Sequence, residues 1–422
     1  MVPAVAPLPF CSMAPRRRLV VVSYTANWPF TARGERTRRL VDALDAAWDV
    51  SLLAGPRLEP VVAPRRSMRW VAAGLRGRLA GTVLLDAYEP WSRRRFRGWE
   101  PEADLALLVG WPFSPLVAAA RCLAKRGIPY VVDAGDPFAL TPGAIREVGG
   151  IAALRATRQE AEMWRGAAGA IVTTPPQAGA LREHFPSLPL LVRPNGHRSP
   201  ELPPDAFHPR PPATRPELRL VYFGHFRERV HADCRWFFER LLESGLWPSI
   251  VLDQYALDAI TELPSSLPNG VRFRRCQALR WEEAIRVSRD YDLALVVGSR
   301  NGVLLPSKVI DYLTLPLPRL AVVESVEDDA ISGYLAGRGG WLIVDDRHGD
   351  PLPDVARHAR SELPAEDLAP PPEEAWPRVT EAIASFLDAV LAAGPRSAPP
   401  LGPDPPAPAS QPPQAAQRLG RE

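Results

Sequence analysis

Short apolar runs alternate with stretches in which apolar residues recur every three or four positions, and this alternation occurs twice along the chain. In the first half, runs at 19–24, 50–54, 82–86, 104–109, 130–133 and 170–173 have the length and the Val, Leu and Ile content of buried strands. Between them, Leu40, Val41, Leu44, Ala47 and Trp48 keep helical spacing, and residues 115–125 do the same after the fourth run. Strand, helix and strand in this order predict a parallel sheet covered on both faces. From His197 onward the chain is rich in proline and polar residues and keeps neither period, which marks 197–217 as a linker. A second series follows, with strands predicted at 218–223, 249–253, 271–274, 292–297 and 319–323. Its helices are predicted at 232–244, 281–288, 307–315 and 328–337.

Near the end, Trp376, Val379, Ile383, Phe386 and Val390 form one apolar stripe on a helix entered through Pro370, Pro371 and Pro372. The fold class is therefore α/β, with two Rossmann-like parallel-sheet domains at 17–196 and 218–372 and a terminal helix at 373–394. Residues 1–16 read as a disordered leader and 395–422 as a disordered proline-rich tail, too poor in apolar residues to order itself.

A length of 422 residues exceeds what one core usually serves, and 46% hydrophobic with 23% charged residues is ordinary for a globular protein. No apolar run approaches the roughly 20 residues that cross a bilayer. Cys11, Cys122, Cys234 and Cys276 lie far apart and form no CxxC or Cys/His pair, so neither a disulfide framework nor a zinc site is indicated, and a cytoplasmic location is expected. Net charge is only +3, yet Arg65, Arg66, Arg69, Arg76 and Arg78, then Arg93, Arg94, Arg95 and Arg97, crowd the first hundred residues. Trp70, Val71, Leu75 and Leu79 can share a helical face flanked by Arg66, Arg69, Arg76 and Arg78, and Trp91, Phe96 and Trp99 interleave with the second group. Such segments suit peripheral contact with an anionic membrane surface, or else a solvated arginine-rich face. They carry no motif for reading nucleic acid, so none is expected as a partner.

Ligands of open α/β sheets bind at the carboxyl ends of the strands, so the residues just after each strand carry the chemistry. After 218–223 come Gly224, His225, Phe226, Arg227, Glu228 and Arg229; the glycine lets backbone approach a phosphate, and either arginine could neutralise a leaving diphosphate. After 292–297 the chain runs through Gly298 and Gly302 to a helix starting at Ser307, where Lys308 adds a positive charge and Asp311 could accept hydrogen bonds from ribose hydroxyls. Each loop can equally be a strand-to-helix turn with a capping serine and solvated side chains. Asp133 and Asp136 follow a first-domain strand, where either could orient or deprotonate an acceptor hydroxyl or simply cap the next turn; Asp136 is favoured. Asp345 and Asp346, after a late strand, read as a solvated turn rather than a metal pair.

Leu305-Pro306-Ser307-Lys308-Val309-Ile310-Asp311-Tyr312-Leu313 resembles the PSK-x-x-E-Y segment of family-4-type glycosyltransferases with the GT-B fold. Leu220-Val221-Tyr222-Phe223-Gly224 is similar to the strand and glycine that open their donor domain, Arg193-Pro194-Asn195-Gly196 to their interdomain turn, and Asp133-Ala134-Gly135-Asp136-Pro137 to their aspartate loop. The likeness runs from about Leu19 to Gly394. It implies two domains facing a cleft, a terminal helix crossing back onto the first, and a hexosyltransferase-like, metal-independent transfer, with retention, from a nucleotide sugar in glycan or glycoconjugate biosynthesis. No cofactor is implied beyond the donor itself, and the acceptor would be a glycan, a lipid-linked or a small molecule. Gly34, Gly224, His225, Arg227, Gly302, Ser307 and Asp311 would then surround the donor, with Asp136, Lys308 and Arg229 as the catalytic set. Three positions depart from the pattern. Val303 and Asp311 stand where two glutamates are usual, Pro316-Leu317-Pro318 replaces Gly-Lys-Pro, and Trp111 is the residue nearest a missing histidine. These departures keep open two alternatives, a sugar-nucleotide enzyme of the same fold such as an epimerase, and an inactive scaffold.

Overall fold

The runs predicted as strands lie parallel and side by side in two sheets. The computed structural model describes residues 16–28, 31–56, 88–135, 150–198, 216–226, 231–256, 267–300, 302–361 and 363–394. The first sheet is built from β1 (Arg17–Ser23), β2 (Trp48–Ala54), β3 (Leu105–Val109), β4 (Tyr130–Ala134), β5 (Gly169–Val172) and β6 (Leu190–Val192), in the order β2-β1-β3-β4-β5-β6. Its helices are α1 (Ala32–Leu44), α2 (Glu89–Arg95), α3 (Phe113–Lys125), α4 (Gly150–Gly166) and α5 (Pro175–His184). The second sheet takes β7 (Glu217–Phe223), β8 (Ser249–Ala256), β9 (Val271–Gln277), β10 (Leu293–Val297), β11 (Arg319–Val322) and β12 (Trp341–Val344), in the order β12-β11-β10-β7-β8-β9. With it go α6 (Arg235–Glu243), α7 (Trp281–Ser288), α8 (Ser307–Tyr312), α9 (Ala330–Leu335), α10 (Leu352–Ala359), α11 (Ala365–Leu368) and the terminal α12 (Trp376–Ala392).

Every residue of β3, β4 and β10 is buried, as strands covered on both faces require. The strand predicted at 82–86 and most of the linker lie outside the described residues. β6 was not predicted; at three half-buried residues it is too short to show a period. The helix predicted at 307–315 stops at Tyr312, before Pro316 and Pro318.

Strand order fixes where ligands can enter. In the second sheet, β7, β8 and β9 run one way from the centre and β10, β11 and β12 the other, so a crevice opens at the carboxyl ends of β7 and β10. The first sheet has the same reversal between β1 and β3, which pair directly from Leu19↔Leu105 to Val22↔Leu108.

α12 crosses back to the first domain, as the resemblance to the GT-B glycosyltransferases implies, and it does so on its apolar stripe. Trp376, Val379, Ile383, Leu387 and Val390 are buried with Leu19, Val21, Leu40, Leu44 and Trp48, and each such large side chain is worth roughly 1.5–3 kcal/mol of burial. The crossing strand of chain is stitched to the forward connection. His197 N–H donates to Glu374 O (3.0 Å), Trp376 N–H to His197 O (3.1 Å), and His197 Nε2 to Pro371 O (2.7 Å). Burial lowers the His197 pKa, and because a carbonyl only accepts, the ring is the tautomer protonated at Nε2.

The membrane expectation is corrected in one respect. Phe96 is buried and Trp91 and Trp99 are half-buried, and the three rings meet edge to face, Trp91 and Phe96 at 6.3 Å and Phe96 and Trp99 at 5.0 Å, against the first-domain core. An apolar core outcompetes an interface for these rings, leaving the arginines Arg93, Arg94, Arg95 and Arg97 exposed there, with Arg93 paired to Glu89. The segment holding Arg65 to Leu79 lies outside the described residues. Among the described residues, no helix is long and apolar enough to cross a membrane.

Candidate active site

β7 ends at Phe223, and Gly224 follows with φ at +124°, a conformation open to glycine and few other residues. A Cβ there would stand 3.6 Å from Lys308 Cε and 3.7 Å from Nζ, so the lysine side chain lies along the bare backbone at the β7 end. Lys308 occupies the first turn of α8, after the loop that leaves β10. The two loops singled out in the sequence thus meet at the crevice of the second sheet.

The Lys308 ammonium hydrogen-bonds the Tyr222 hydroxyl and sits 4.2 Å from the centre of the Tyr222 ring. That hydroxyl donates to His225 O (3.1 Å) and lies 3.2 Å from His231 Nε2, which must then be the protonated partner. Burial pulls the Lys308 pKa down to about 7, against the pull of Asp311. One turn along, burial raises Asp311 to about 6; Arg198 and Lys308 oppose the rise and Glu35 adds to it. Tyr312 fixes the helix against the strand, its hydroxyl accepting from Phe223 N–H at 2.7 Å.

The loop from β10 to α8 is held on both sides. Gly298 O accepts from Ala232 N–H at 2.8 Å, Ser299 Oγ from Leu304 N–H at 3.2 Å, and Gly302 O from Ala330 N–H. Val303 O accepts from Thr174 Oγ1 at 3.1 Å, so the carboxyl edges of the two sheets face one another. Pro306, not Ser307, is the residue before α8, and Ser307 is its first residue.

The first domain contributes the start of α1. Thr31 caps it by accepting from Gly34 N–H at 3.0 Å. A Cβ on Gly34 would fall 2.2 Å from Trp28 O and 2.7 Å from Thr25 O, so this glycine lets the turn after β1 lie on the helix. Glu35 receives Arg39 (2.9 Å), Arg38 (2.6 Å) and Arg198 (3.1 Å). Burial works against its charge, but these hydrogen bonds and Arg198 hold its pKa below the ordinary value. Arg36 is completely buried and donates from Nε to Asp133 Oδ2 at 2.7 Å, with its other nitrogens on Arg193 O (3.1 Å), Pro194 O (3.0 Å) and Asn195 Oδ1 (3.2 Å). Asp133, considered as a base in the sequence, is thereby an anchor for the turn at 193–196. Asp136, Arg227 and Arg229 lie outside the described residues.

Glu35 and Arg198 join the site without a sequence signal, because their partners are distant along the chain and their residue types are common on surfaces. Tyr222 and His231 lie in the strand and loop singled out around Gly224, but the contacts of Tyr222 with Lys308 and with His231 are not written in the sequence. Asp345 differs from the solvated turn expected: it is buried and accepts from the N–H groups of Val326 (2.7 Å), Arg347 (3.1 Å) and His348 (3.0 Å), while Asp346 is exposed. Among the described residues, no group of three or more His, Cys, Asp or Glu could hold a metal ion.

By sequence, neither a family model nor a curated protein matches the chain. By structure it is similar to sucrose-phosphate synthase from Thermosynechococcus elongatus, at a TM-score of 0.56 and 14% identity over 90% of this chain and 100% of that one. The chain has the GT-B fold. More distant likenesses are the glycotransferase of kitacinnamycin, at a TM-score of 0.43 and 12% identity over 90% of this chain and 100% of that one, and the glycosyltransferase SnogD from Streptomyces nogalater, at 0.33 and 14% over 90% and 96%. At these identities the likeness speaks for the fold, and the chemistry has to be argued from the site.

Proposed function

We propose that this protein is a glycosyltransferase that moves a sugar from a nucleotide-sugar donor to an acceptor hydroxyl. The observation that carries the reading is Lys308, a lysine depressed by burial and laid against Gly224 at the crevice of the second sheet. A diphosphate in that crevice would meet Lys308, the loop amides and, from the segment after Gly224, Arg227 or Arg229. Asp311 would hold the ribose. In the proposed step the bond from the sugar C1 to the phosphate oxygen breaks with its electron pair leaving on the diphosphate. The acceptor oxygen bonds to C1 from the same face, and the hydroxyl proton passes to the departing phosphate. Stabilising the leaving charge is then the main contribution of the protein, and this reading calls for no metal ion. Asp136 is proposed to orient the acceptor, which would be a glycan, a lipid-linked or a small molecule, in glycan or glycoconjugate biosynthesis in the cytoplasm.

A thermal-shift panel of UDP, GDP, ADP and their sugars tests the reading; if none raises the melting temperature, the scaffold alternative replaces it. The pH dependence has a definite sign. Phosphate binding favours charged Lys308, so affinity falls as pH rises through about 7, and the ribose grip weakens as pH falls through about 6, where Asp311 takes a proton. Titration calorimetry with the best nucleotide from pH 5 to 9 should therefore show an optimum between these values, and a flat profile would separate binding from both groups.

The peripheral membrane contact proposed for the described residues rests on charge alone at Arg94, Arg95 and Arg97, each worth about 1 kcal/mol near an anionic surface. Flotation with vesicles containing phosphatidylserine is expected at low salt and lost near about 0.15 M. Equal recovery with neutral vesicles would remove this proposal.

A further inference from the structure

At the crevice of the first sheet stands a wall of aromatic side chains. Tyr24 follows β1, Trp28 closes the turn after it, Tyr88 and Trp91 begin α2, and Trp111 follows β3. Tyr24 lies 5.7 Å from Trp28, 4.7 Å from Tyr88 and 4.8 Å from Trp91, and Tyr88 lies 5.6 Å from Trp111 at an interplanar angle of 83°. The wall is fixed in place. Trp28 Nε1 donates to Pro56 O at 3.3 Å, Asn27 Nδ2 to Gly55 O at 2.7 Å, and Gly110 N–H to Asp133 O at 2.9 Å just before Trp111. Arg33 lies along Gly110 and Gly135, at the ends of β3 and β4.

Trp111 is 41% exposed, and among the described residues it is the one aromatic side chain so large and so open. A core has no use for an indole face turned outward beside buried Pro112 and Phe113, since burying that face would stabilise the fold. Its position explains it. Trp111 stands at the strand-order reversal of the first sheet, where a ligand is expected, and the Thr174–Val303 hydrogen bond sets this edge opposite the donor crevice.

We propose that Trp111, backed by Tyr88 and Tyr24, is the acceptor platform and takes the acceptor by the flat apolar face of a ring. Two kinds of molecule offer such a face, the axial C–H side of a pyranose and a planar aromatic aglycone. This assignment rests on the transferase reading for the word acceptor, but the platform itself is testable without it.

Saturation-transfer NMR with methyl β-glucoside, phenyl β-glucoside and 2-naphthol distinguishes the two sources. A signal from the methyl glycoside supports the pyranose, and a signal confined to the two aromatic probes supports the aglycone. W111A is expected to weaken the bound probe about threefold to tenfold, with W111F keeping most of the signal. L246A, at an exposed side chain in the second domain, is expected to change nothing. Independently of how W111A folds, the Trp111 indole N–H resonance of the wild-type protein, assigned by its loss in W111F, should shift on titration. No binding of any probe, or binding equal in W111A, overturns the platform. UDP thermal shifts on the same samples separate the two failures: a UDP shift without a ring signal sinks the platform alone, and a Trp111-dependent ring signal without any nucleotide shift sinks the transferase reading alone.

Discussion

Lys308→Ala is expected to lower kcat/KM for sugar transfer by about a hundredfold to a thousandfold, the usual cost of removing one preorganised donor from a developing anion. The same change should abolish the nucleotide-induced rise in melting temperature. The apo protein should respond in the opposite sense. Burial disfavours the charged form, so this lysine contributes a penalty that is full below about 7 and fades as pH rises toward the ordinary 10.5. Lys308→Met, which keeps the stem and removes the charge, should therefore melt higher than wild type at pH 6, by about 2–4 °C per kcal/mol relieved. The gain should shrink steadily toward pH 10. Stability given up at a binding site is a mark of function, and a Lys308→Met protein that melts lower at pH 6 would argue for a structural lysine instead.

Arg36→Ala is expected to destabilise the first domain by about 3–5 kcal/mol, because it strands the Asp133 carboxylate at 0% exposure beside an emptied guanidinium pocket. Urea unfolding followed by tryptophan fluorescence measures this. Removing both charges, as Arg36→Met with Asp133→Leu, should recover much of the loss, since two apolar side chains leave no unpaired ion. Arg36→Lys should not recover it, for a single ammonium cannot reach Asp133, Arg193 O, Pro194 O and Asn195 Oδ1 together. A loss below about 1 kcal/mol for Arg36→Ala would mean that water replaces the guanidinium.

The two sheets were legible because a strand buried on both faces writes an uninterrupted apolar run, as the Leu, Ala and Val residues of 105–109 and 293–297 do. The Gly224 and Lys308 loops were legible for a related reason: each follows such a run, and strand order brings both to one crevice. The Arg36–Asp133 pair was not, since it joins residues 97 apart and an arginine on a helix ordinarily reads as solvated. Glu35 and Arg198 were hidden in the same way. In 91–99 the sequence showed aromatic rings among arginines, a pattern shared by membrane surfaces and by a helix whose rings face inward, and only the packing against α3 and the sheet decides between them.

The return of α12 sets an order of assembly. A ribosome releases the first domain's strands long before it makes Trp376, yet Leu19, Val21, Leu40 and Trp48 share their core with side chains as late as Val390. Until that helix arrives, one face of the first sheet has α1 but lacks the rest of its cover, while the second domain already has every strand it uses. The domain written first is thus the one completed last, and a truncation that falls within α12 strikes the first domain rather than the one that carries Lys308.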